Sequence, residues 1–184
     1  FIKSPVSVTA VFVTSLPPVG TPQAATVSGV DHLVIAEVQT AGSATNNDFI
    51  KIYNPTVAAI DVSDWRLRKR TQPGTEYSIR VVPVGTVIQP GGYFVWANSD
   101  GGFSESVQAN VSSTQTLAAN NSIALEDGQS AVIDAVAWGT GHTNPFVEGS
   151  PSPTNPDPSK VLKRKVSGGA IVDTGNNADD FVIE

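Results

Sequence analysis

The chain has 184 residues and a formal net charge of −6, and it contains neither cysteine nor methionine. Without cysteine it has no disulfide, no zinc–cysteine site and no thiol nucleophile, and its acidic balance argues against general nucleic-acid binding. The length suits one β domain with an appendage, and a domain of about 150 residues buries roughly two-thirds of its unfolded surface without covalent cross-links. No segment has enough consecutive apolar residues to span a membrane.

Residues 1–16 form the first predicted element, an N-terminal strand that we call the arm. Its apolar residues recur at alternate positions, as in a strand with one buried face. The residues of this face are Ile2, Val6, Val8, Ala10, Phe12 and Leu16. Residues 17–30 contain three prolines and two glycines, which predicts a flexible linker. Three alternatives stay open: the arm pairs with a sheet edge of another copy, pairs with its own domain, or is disordered or surface-anchoring.

Residues 31–184 are predicted to form one β domain, because short runs rich in Val and Ile are closed by Gly, Asn or Pro. The predicted strands are 33–39, 48–54, 65–70, 77–82, 93–97, 122–126, 132–138, 160–165 and 181–183. We expect one short helical turn over residues 115–119 and an extended proline-rich loop over 145–158. Three tryptophans on predicted strands are expected to anchor the core of a two-layer sandwich, namely Trp65, Trp96 and Trp138.

Basic residues cluster on two predicted strands. Arg66, Arg68 and Arg70 share one strand face, and Lys163 and Lys165 share a face of another strand. In an acidic protein this set predicts a local basic patch that meets an acidic surface on a neighbouring subunit or a polymer. A solvated strand face that discourages edge-to-edge aggregation explains the same pattern.

The loop before the last predicted strand is rich in oxygen ligands. It contains Asp173, Asn176, Asn177, Asp179 and Asp180. Calcium takes about six to eight such oxygens, so one interpretation is a calcium site, although the spacing is not that of an EF-hand. The other interpretation is a loop whose Asp and Asn side chains bond to nearby backbone groups. No other cofactor is expected.

No residue pattern predicts catalysis. His32 and His142 are the only histidines, and neither lies near a G-x-S-x-G or comparable serine motif. Asp61 and Asp64 flank Val62-Ser63, a position typical of carboxylates that serve a turn. We therefore expect no catalytic residue.

Several segments, taken in chain order, resemble one known domain family. They are HLVIAEVQTAG, NDFIKIYNPT and AAIDVSDWRLRKR within residues 32–70, then VIQPGGYFVW, NSIAL, VIDAVAWG and VDTGNNADDFV. This order resembles the lamin tail domain, an immunoglobulin-like β-sandwich, in the form found in secreted bacterial proteins. The chain has no heptad segment, so the coiled-coil filament mechanism of nuclear lamins does not carry over. Gly175 stands where the bacterial motif often has a second Asp, which counts against the calcium interpretation.

The resemblance implies a structural or binding module and gives no reason to expect an enzyme. The chain begins at Phe1 without an initiator Met, which we interpret as removal of a precursor segment and as an extracellular location. The preferred hypothesis is a structural or adhesive subunit that polymerises into surface filaments by donor-strand exchange through the arm. The alternative is a monomeric secreted module that binds a glycan, calcium or nucleic acid, with the arm paired in cis.

Overall fold

The computed structural model describes residues 29–184. The arm, with its six predicted apolar residues, lies outside the described residues, as does the linker up to residue 28. The pairing of the arm therefore stays a prediction.

Short strands dominate the described chain, as its alternation of apolar residues with turn residues predicts. The strands are β1 (Val34–Gln39), β2 (Phe49–Tyr53), β3 (Ile60–Asp61), β4 (Arg66–Arg70), β5 (Glu76–Val81), β6 (Val87–Ile88), β7 (Tyr93–Asn98), β8 (Val111–Ser113), β9 (Ser122–Glu126), β10 (Val132–Ala137), β11 (Leu162–Arg164), β12 (Val166–Ser167), β13 (Ala170–Ile171) and β14 (Phe181–Ile183). The helical segments are a 3-10 turn (Asp100–Gly102), α1 (Phe103–Ser106) and α2 (Asn177–Asp180).

The strands form an immunoglobulin-like β-sandwich. The six-stranded sheet has the order β14-β11-β1-β2-β7-β8, and the four-stranded sheet has the order β10-β9-β4-β5. All neighbours in these sheets are antiparallel except β7 and β8, which are parallel. The short pairs β3-β6 and β12-β13 form separate two-stranded ladders.

The core lies between the two main sheets. In β2, Ile50 and Ile52 are buried while the alternate residues are half-buried, so one strand face points inward. Apolar residues of both sheets belong to one cluster, to which β9 contributes Ile123 and Leu125. Each fully buried side chain of this kind stabilises the fold by about 1.5–3 kcal/mol before the entropy of ordering.

The three tryptophans lie where a core anchor would lie. Trp96 and Trp138 are fully buried, and Trp65 is partly buried and packs against the same core cluster. The indole N–H of Trp96 donates to the hydroxyl of Ser113 at 3.1 Å, and that of Trp138 donates to the carbonyl of Ala118 at 2.9 Å. Both buried indoles therefore keep a hydrogen-bond partner.

Each of the nine predicted strands coincides with an observed strand, with ends that agree within two residues. The predicted helical turn over 115–119 is wrong, because its residues have no helical structure. Side chains of the sandwich take its backbone groups instead: Asn98 donates to the carbonyl of Gln115 at 2.9 Å, and the N–H of Leu117 donates to Asp48 at 2.7 Å. The prediction also missed five strands of two or three residues, namely β3, β6, β8, β12 and β13.

Candidate functional site

Arg164 lies at the centre of a buried network of charged groups. Strand β11 alternates, so Leu162 and Arg164 are buried while Lys163 faces outward. Nη2 of Arg164 donates to both carboxylate oxygens of Asp134 at 2.9 Å, and its Nε donates to the carbonyl of Ile35 at 3.1 Å. Paired contacts of one guanidinium to one carboxylate fix both orientation and distance. The interior of the sandwich thus contains an oriented ion pair.

Asp134 connects the two main sheets. It lies on β10 in the four-stranded sheet, and its Oδ2 accepts the N–H of Ile35 on β1 in the six-stranded sheet. Both strands have an irregularity at this point, since the register shifts between Ile35 and Glu37 and between Val132 and Asp134. Burial raises the pKa of Asp134, and the charge of Arg164 opposes that rise.

Three further carboxylates surround the same guanidinium. Nη1 of Arg164 lies 3.2 Å from Asp173 and 3.4 Å from Asp180, and Nη2 lies 4.0 Å from Glu148. Oxygens of Glu148, Asp173 and Asp180 all lie within 4.8 Å of one another. Burial and the neighbouring carboxylates of Asp134 and Asp173 raise the pKa of Glu148 to about 8. The raised pKa favours the protonated form of Glu148, which reduces the repulsion within the network.

The five tail-loop residues considered as calcium ligands divide into two groups. Asp173 and Asp180 turn towards Arg164. Asn177 is buried and bonds to the backbone of β10, while Asn176 donates to the carboxylate of Asp179. The carboxylates that converge are thus Glu148, Asp173 and Asp180, and they already lie close to a guanidinium. Calcium binding stays one of the two interpretations of this loop.

Sequence reasoning missed Arg164 and Glu148. The signal for Arg164 was present, because two lysines that share a strand face require the residue between them to face the other way. Glu148 lies in the proline-rich loop predicted over 145–158, where no periodic pattern assigns a direction to a side chain. Its role depends on contacts across the fold.

The comparisons with known proteins bear on the sandwich itself. The family described as Lamin Tail Domain matches residues 26–140, more than half of the chain. The chain belongs to the lamin tail domain family. None of the curated proteins searched matches it. The lamin tail domain is an immunoglobulin-like, non-catalytic domain family, so the family is compatible with a structural module.

The matched range ends before the fold does. Residue 140 follows β10, whereas β11 and β14 extend the six-stranded sheet of this lamin tail domain beyond β1. Ile35 and Asp134 lie inside the matched range, and Arg164 lies outside it. The buried network therefore connects the matched part of the domain to its C-terminal strands.

The predicted basic residues lie on different sheets of the lamin tail domain. Arg68 and Arg70 on β4 form ion pairs with Glu76 on the neighbouring strand β5. Lys163 belongs to the six-stranded sheet and pairs with Glu184 at 2.7 Å. Arg66 contacts the hydroxyl of Ser130, and Lys165 donates to the carbonyl of Asp179. The five residues thus do not form one continuous strand face.

The outer face of the six-stranded sheet carries the aromatic residues Phe49, Tyr53 and Tyr93. Tyr53 and Tyr93 are cross-strand partners whose ring centroids lie 4.8 Å apart, and Tyr93 is 55% exposed. Lys51 lies 5.5 Å from the Tyr93 ring, 5.9 Å from the Phe49 ring and 2.7 Å from the carboxylate of Glu37. Burial and the neighbouring Tyr53 and Glu37 raise the pKa of Tyr93. We call Glu37, Phe49, Lys51, Tyr53 and Tyr93 the aromatic face.

Within residues 29–184, no helix has the length and apolar character that a membrane crossing needs.

Proposed function

We propose that this lamin tail domain protein is an extracellular structural or adhesive subunit, without enzymatic activity, that assembles into surface filaments. The arm of one copy pairs with a sheet edge of the next copy, so that the contact repeats without closing. The observation that carries the proposal is the open outer edge of β14, an outermost strand beside which no other strand of residues 29–184 lies. A low charged fraction, 15% of the residues, is consistent with an extracellular β protein.

Burial of apolar side chains of the arm favours such pairing. Burial of the arm residues Val6, Val8, Phe12 and Leu16 contributes about 1.5–3 kcal/mol each before the entropy of ordering. Backbone hydrogen bonds to the receiving strand add to this contribution. An isolated apolar strand is also an aggregation hazard, so its coverage by a partner edge gives the arm a folded location.

The two histidines contact carboxylates and a backbone carbonyl. His32 contacts Asp31 and Asp173, and Nε2 of His142 lies 3.0 Å from the carbonyl oxygen of Trp138. Among residues 29–184, neither imidazole hydrogen-bonds to a serine or threonine hydroxyl that it would activate. A nucleophile and its base require that contact.

Negative-stain electron microscopy of the full chain tests the proposal. We expect filaments from the wild type and from a variant with Ser7→Asp and Thr9→Asp, which places charges on the polar face of the strand predicted for the arm. A variant with Val8→Asp and Phe12→Asp places charges on the apolar face of that strand, and we expect it to form only single particles. Single particles from the wild type, or filaments from the variant with Val8→Asp and Phe12→Asp, would overturn the proposal.

A second candidate function is carbohydrate binding by a secreted module, and the aromatic face favours it. Exposed aromatic rings offer apolar surfaces to the C–H groups of a pyranose, and the adjacent Lys51–Glu37 pair offers donors and acceptors to its hydroxyls. Opposite charges alternate along Lys163, Glu37 and Lys51, which are paired across three strands. This alternation suits an uncharged ligand better than a polyanion.

Binding of the full chain to neutral polysaccharides tests this second function. We expect Tyr93→Ala to weaken binding at least tenfold if the aromatic face is the site. Tyr77→Ala is the matched control, because Tyr77 is 44% exposed and lies on the other sheet. Equal effects of the two substitutions, or no binding by the wild type, would remove the support for this function.

A further inference from the structure

Within residues 29–184, the two main sheets have four outermost strands that could receive an added strand, and a side chain closes the edge of one of them. The edge of β10 faces Asn177, whose Nδ2 donates to the carbonyl of Ala135 at 2.9 Å. Its Oδ1 accepts the N–H of Ala137 at 3.0 Å. These are the two bonds that a neighbouring strand would make, so the amide of Asn177 takes the place of a strand beside β10.

The edge of β5 is protected by other means. Strand β5 carries the charged residues Glu76 and Arg80, and its register with β4 shifts between Leu67 and Arg68. Bulges and charges are devices that prevent edge pairing. The hydroxyl of Ser113 on β8 donates to the carbonyl of Ile79 on β5 at 2.9 Å, which occupies a backbone acceptor of β5.

Strand β14 has none of these protections. Val161 and Glu184 exchange both backbone bonds at 3.0 Å, and the N–H of Lys165 donates to the carbonyl of Asp180 at 2.7 Å. Because antiparallel bonding alternates, the N–H and C=O of Ile183 point away from β11, towards the open edge. The N–H of Phe181 is already bonded to Asn177, but its carbonyl points in the same outward direction. An added strand thus finds one donor and two acceptors.

The side chains along this edge are apolar. Ile183 packs against the core cluster and is half-buried, and Val182 on the opposite face is 40% exposed. A strand beside β14 would place the side chains of its apolar face next to Ile183 and those of its polar face next to Val182. The arm has an apolar and a polar set of alternate positions: Val6, Val8 and Phe12 belong to the apolar set, and Ser7 and Thr9 belong to the other set.

The described chain starts close to the loop that leads to β14. Both β1 and β14 are antiparallel to β11, so they run in the same direction and begin at the same end of the sheet. His32, just before β1, lies 3.2 Å from Asp173 in the loop that leads to β14. Fourteen linker residues reach at most roughly 45 Å at about 3.3 Å per residue, a length that lets the arm leave its own domain.

We propose that the outer edge of β14 is the acceptor for the arm of a second copy. The inference rests on the proposed assembly function and specifies the edge that the assembly uses. The arm adds a strand beside Ile183 and extends the six-stranded sheet of its partner.

A substitution of Ile183 tests the edge in the full chain. Ile183→Pro removes the outward N–H without removing a bond to β11, a position where a sheet edge accepts proline. We expect the concentration needed for filament formation to rise at least tenfold relative to Ile183→Ala, which removes the same side-chain contacts but keeps the N–H. Equal assembly by the two variants would overturn the proposal, provided that their thermal melts agree within a few degrees.

Engineered cysteines provide a second measurement, because the chain has no cysteine of its own. Full-length Val182→Cys is mixed with full-length Ser7→Cys or Thr9→Cys under mild oxidation, and Tyr77→Cys replaces Val182→Cys in the control. We expect disulfide-linked heterodimers with Val182→Cys only, because the bond requires Cα atoms within about 7 Å.

The outcomes separate the two proposals. Cross-links to Tyr77→Cys, or filaments without cross-links to Val182→Cys, would reject β14 while the assembly function stands. A chain that carries both cysteines and forms only an intramolecular bond would show pairing in cis and would overturn the acceptor role towards a second copy. Single particles from the wild type would instead reject the assembly function itself.

Discussion

Asp48 and Lys69 contact opposite ends of one peptide group. Nζ of Lys69 donates to the carbonyl of Thr116, and the N–H of Leu117 donates to Oδ2 of Asp48 at 2.7 Å. Both residues are buried. Asp48 lies just before β2 of the six-stranded sheet, and Lys69 lies on β4 of the four-stranded sheet. The peptide group between residues 116 and 117 therefore bridges the side chains of Asp48 and Lys69 at the end of the sandwich.

This arrangement predicts a stability that falls with rising pH. Burial raises the pKa of Asp48 to about 7, although the N–H of Leu117 and the charge of Lys69 oppose the rise. A raised pKa means that the folded state holds the proton more tightly than the unfolded state. The contribution of Asp48 is thus complete below about pH 4 and is lost as the pH rises through about 7, with at most about 4 kcal/mol involved.

Thermal melts of Asp48→Asn between pH 5 and pH 8 check this prediction. The variant cannot ionise, so we expect its melting temperature to fall less than that of the wild type over this range. Part of the fall remains, because the pKa of Glu148 is raised to about 8 and acts in the same direction. Asp61→Asn is the control, since Asp61 is exposed and its bonds to Ser63 lower its pKa. An unchanged slope in Asp48→Asn would contradict the prediction.

Removal of the buried cation should destabilise the fold strongly. Arg164→Met leaves Asp134 buried without its partner, and loss of one member of a buried ion pair costs about 3–5 kcal/mol. Chemical denaturation measures the free energy of unfolding of the variant. Lys163→Met is the matched control, because the neighbouring residue forms an exposed pair with Glu184, and we expect its stability to stay near that of the wild type. Equal losses in the two variants would refute the central role of Arg164.

The strands could be predicted from local patterns, whereas the polar network could not. Alternation assigns Ile50 and Ile52 to one face of β2 because the period of a strand is two, whatever its neighbours are. Ile35 and Asp134, by contrast, are 99 residues apart, and their bond depends on which strands become neighbours in space. The parallel strand β8 was missed for a similar reason: it has only three residues, and its partner β7 precedes it in the chain with two helical turns between them.

The tail loop shows the same limit at the level of single side chains. Its composition predicts oxygen ligands, but composition does not say where each oxygen points. Asn177 turns inward to the edge of β10, and Asp180 turns to Arg164, which is 16 residues earlier in the chain. A loop of Asp and Asn residues can bind an ion or satisfy backbone and side-chain donors of its own fold.

Calcium titration separates these two roles. We expect the melting temperature at pH 7 to stay constant up to millimolar calcium, because Arg164 already supplies the positive charge that faces Asp173 and Asp180. A ligand at a hundredfold excess over its Kd would stabilise the fold by about 2.7 kcal/mol, which a thermal melt detects. A clear rise that disappears in Glu148→Gln would instead demonstrate a metal site formed by the three converging carboxylates.

Asn177 should protect the domain from pairing along the wrong edge. Asn177→Ala leaves the N–H of Ala137 and the carbonyl of Ala135 without their partner, and a buried unpaired group costs about 1–3 kcal/mol. The same substitution uncovers the edge of β10, so we expect soluble aggregates that the wild type does not form. Analytical ultracentrifugation of a variant with the apolar face of the arm disrupted, with and without Asn177→Ala, isolates this effect from arm-mediated assembly. Asn176→Ala is the control, because Asn176 bonds to the N–H of Ser150 and makes no bond to β10; aggregation in both variants would show that the loop as a whole, and not the amide of Asn177, covers the edge.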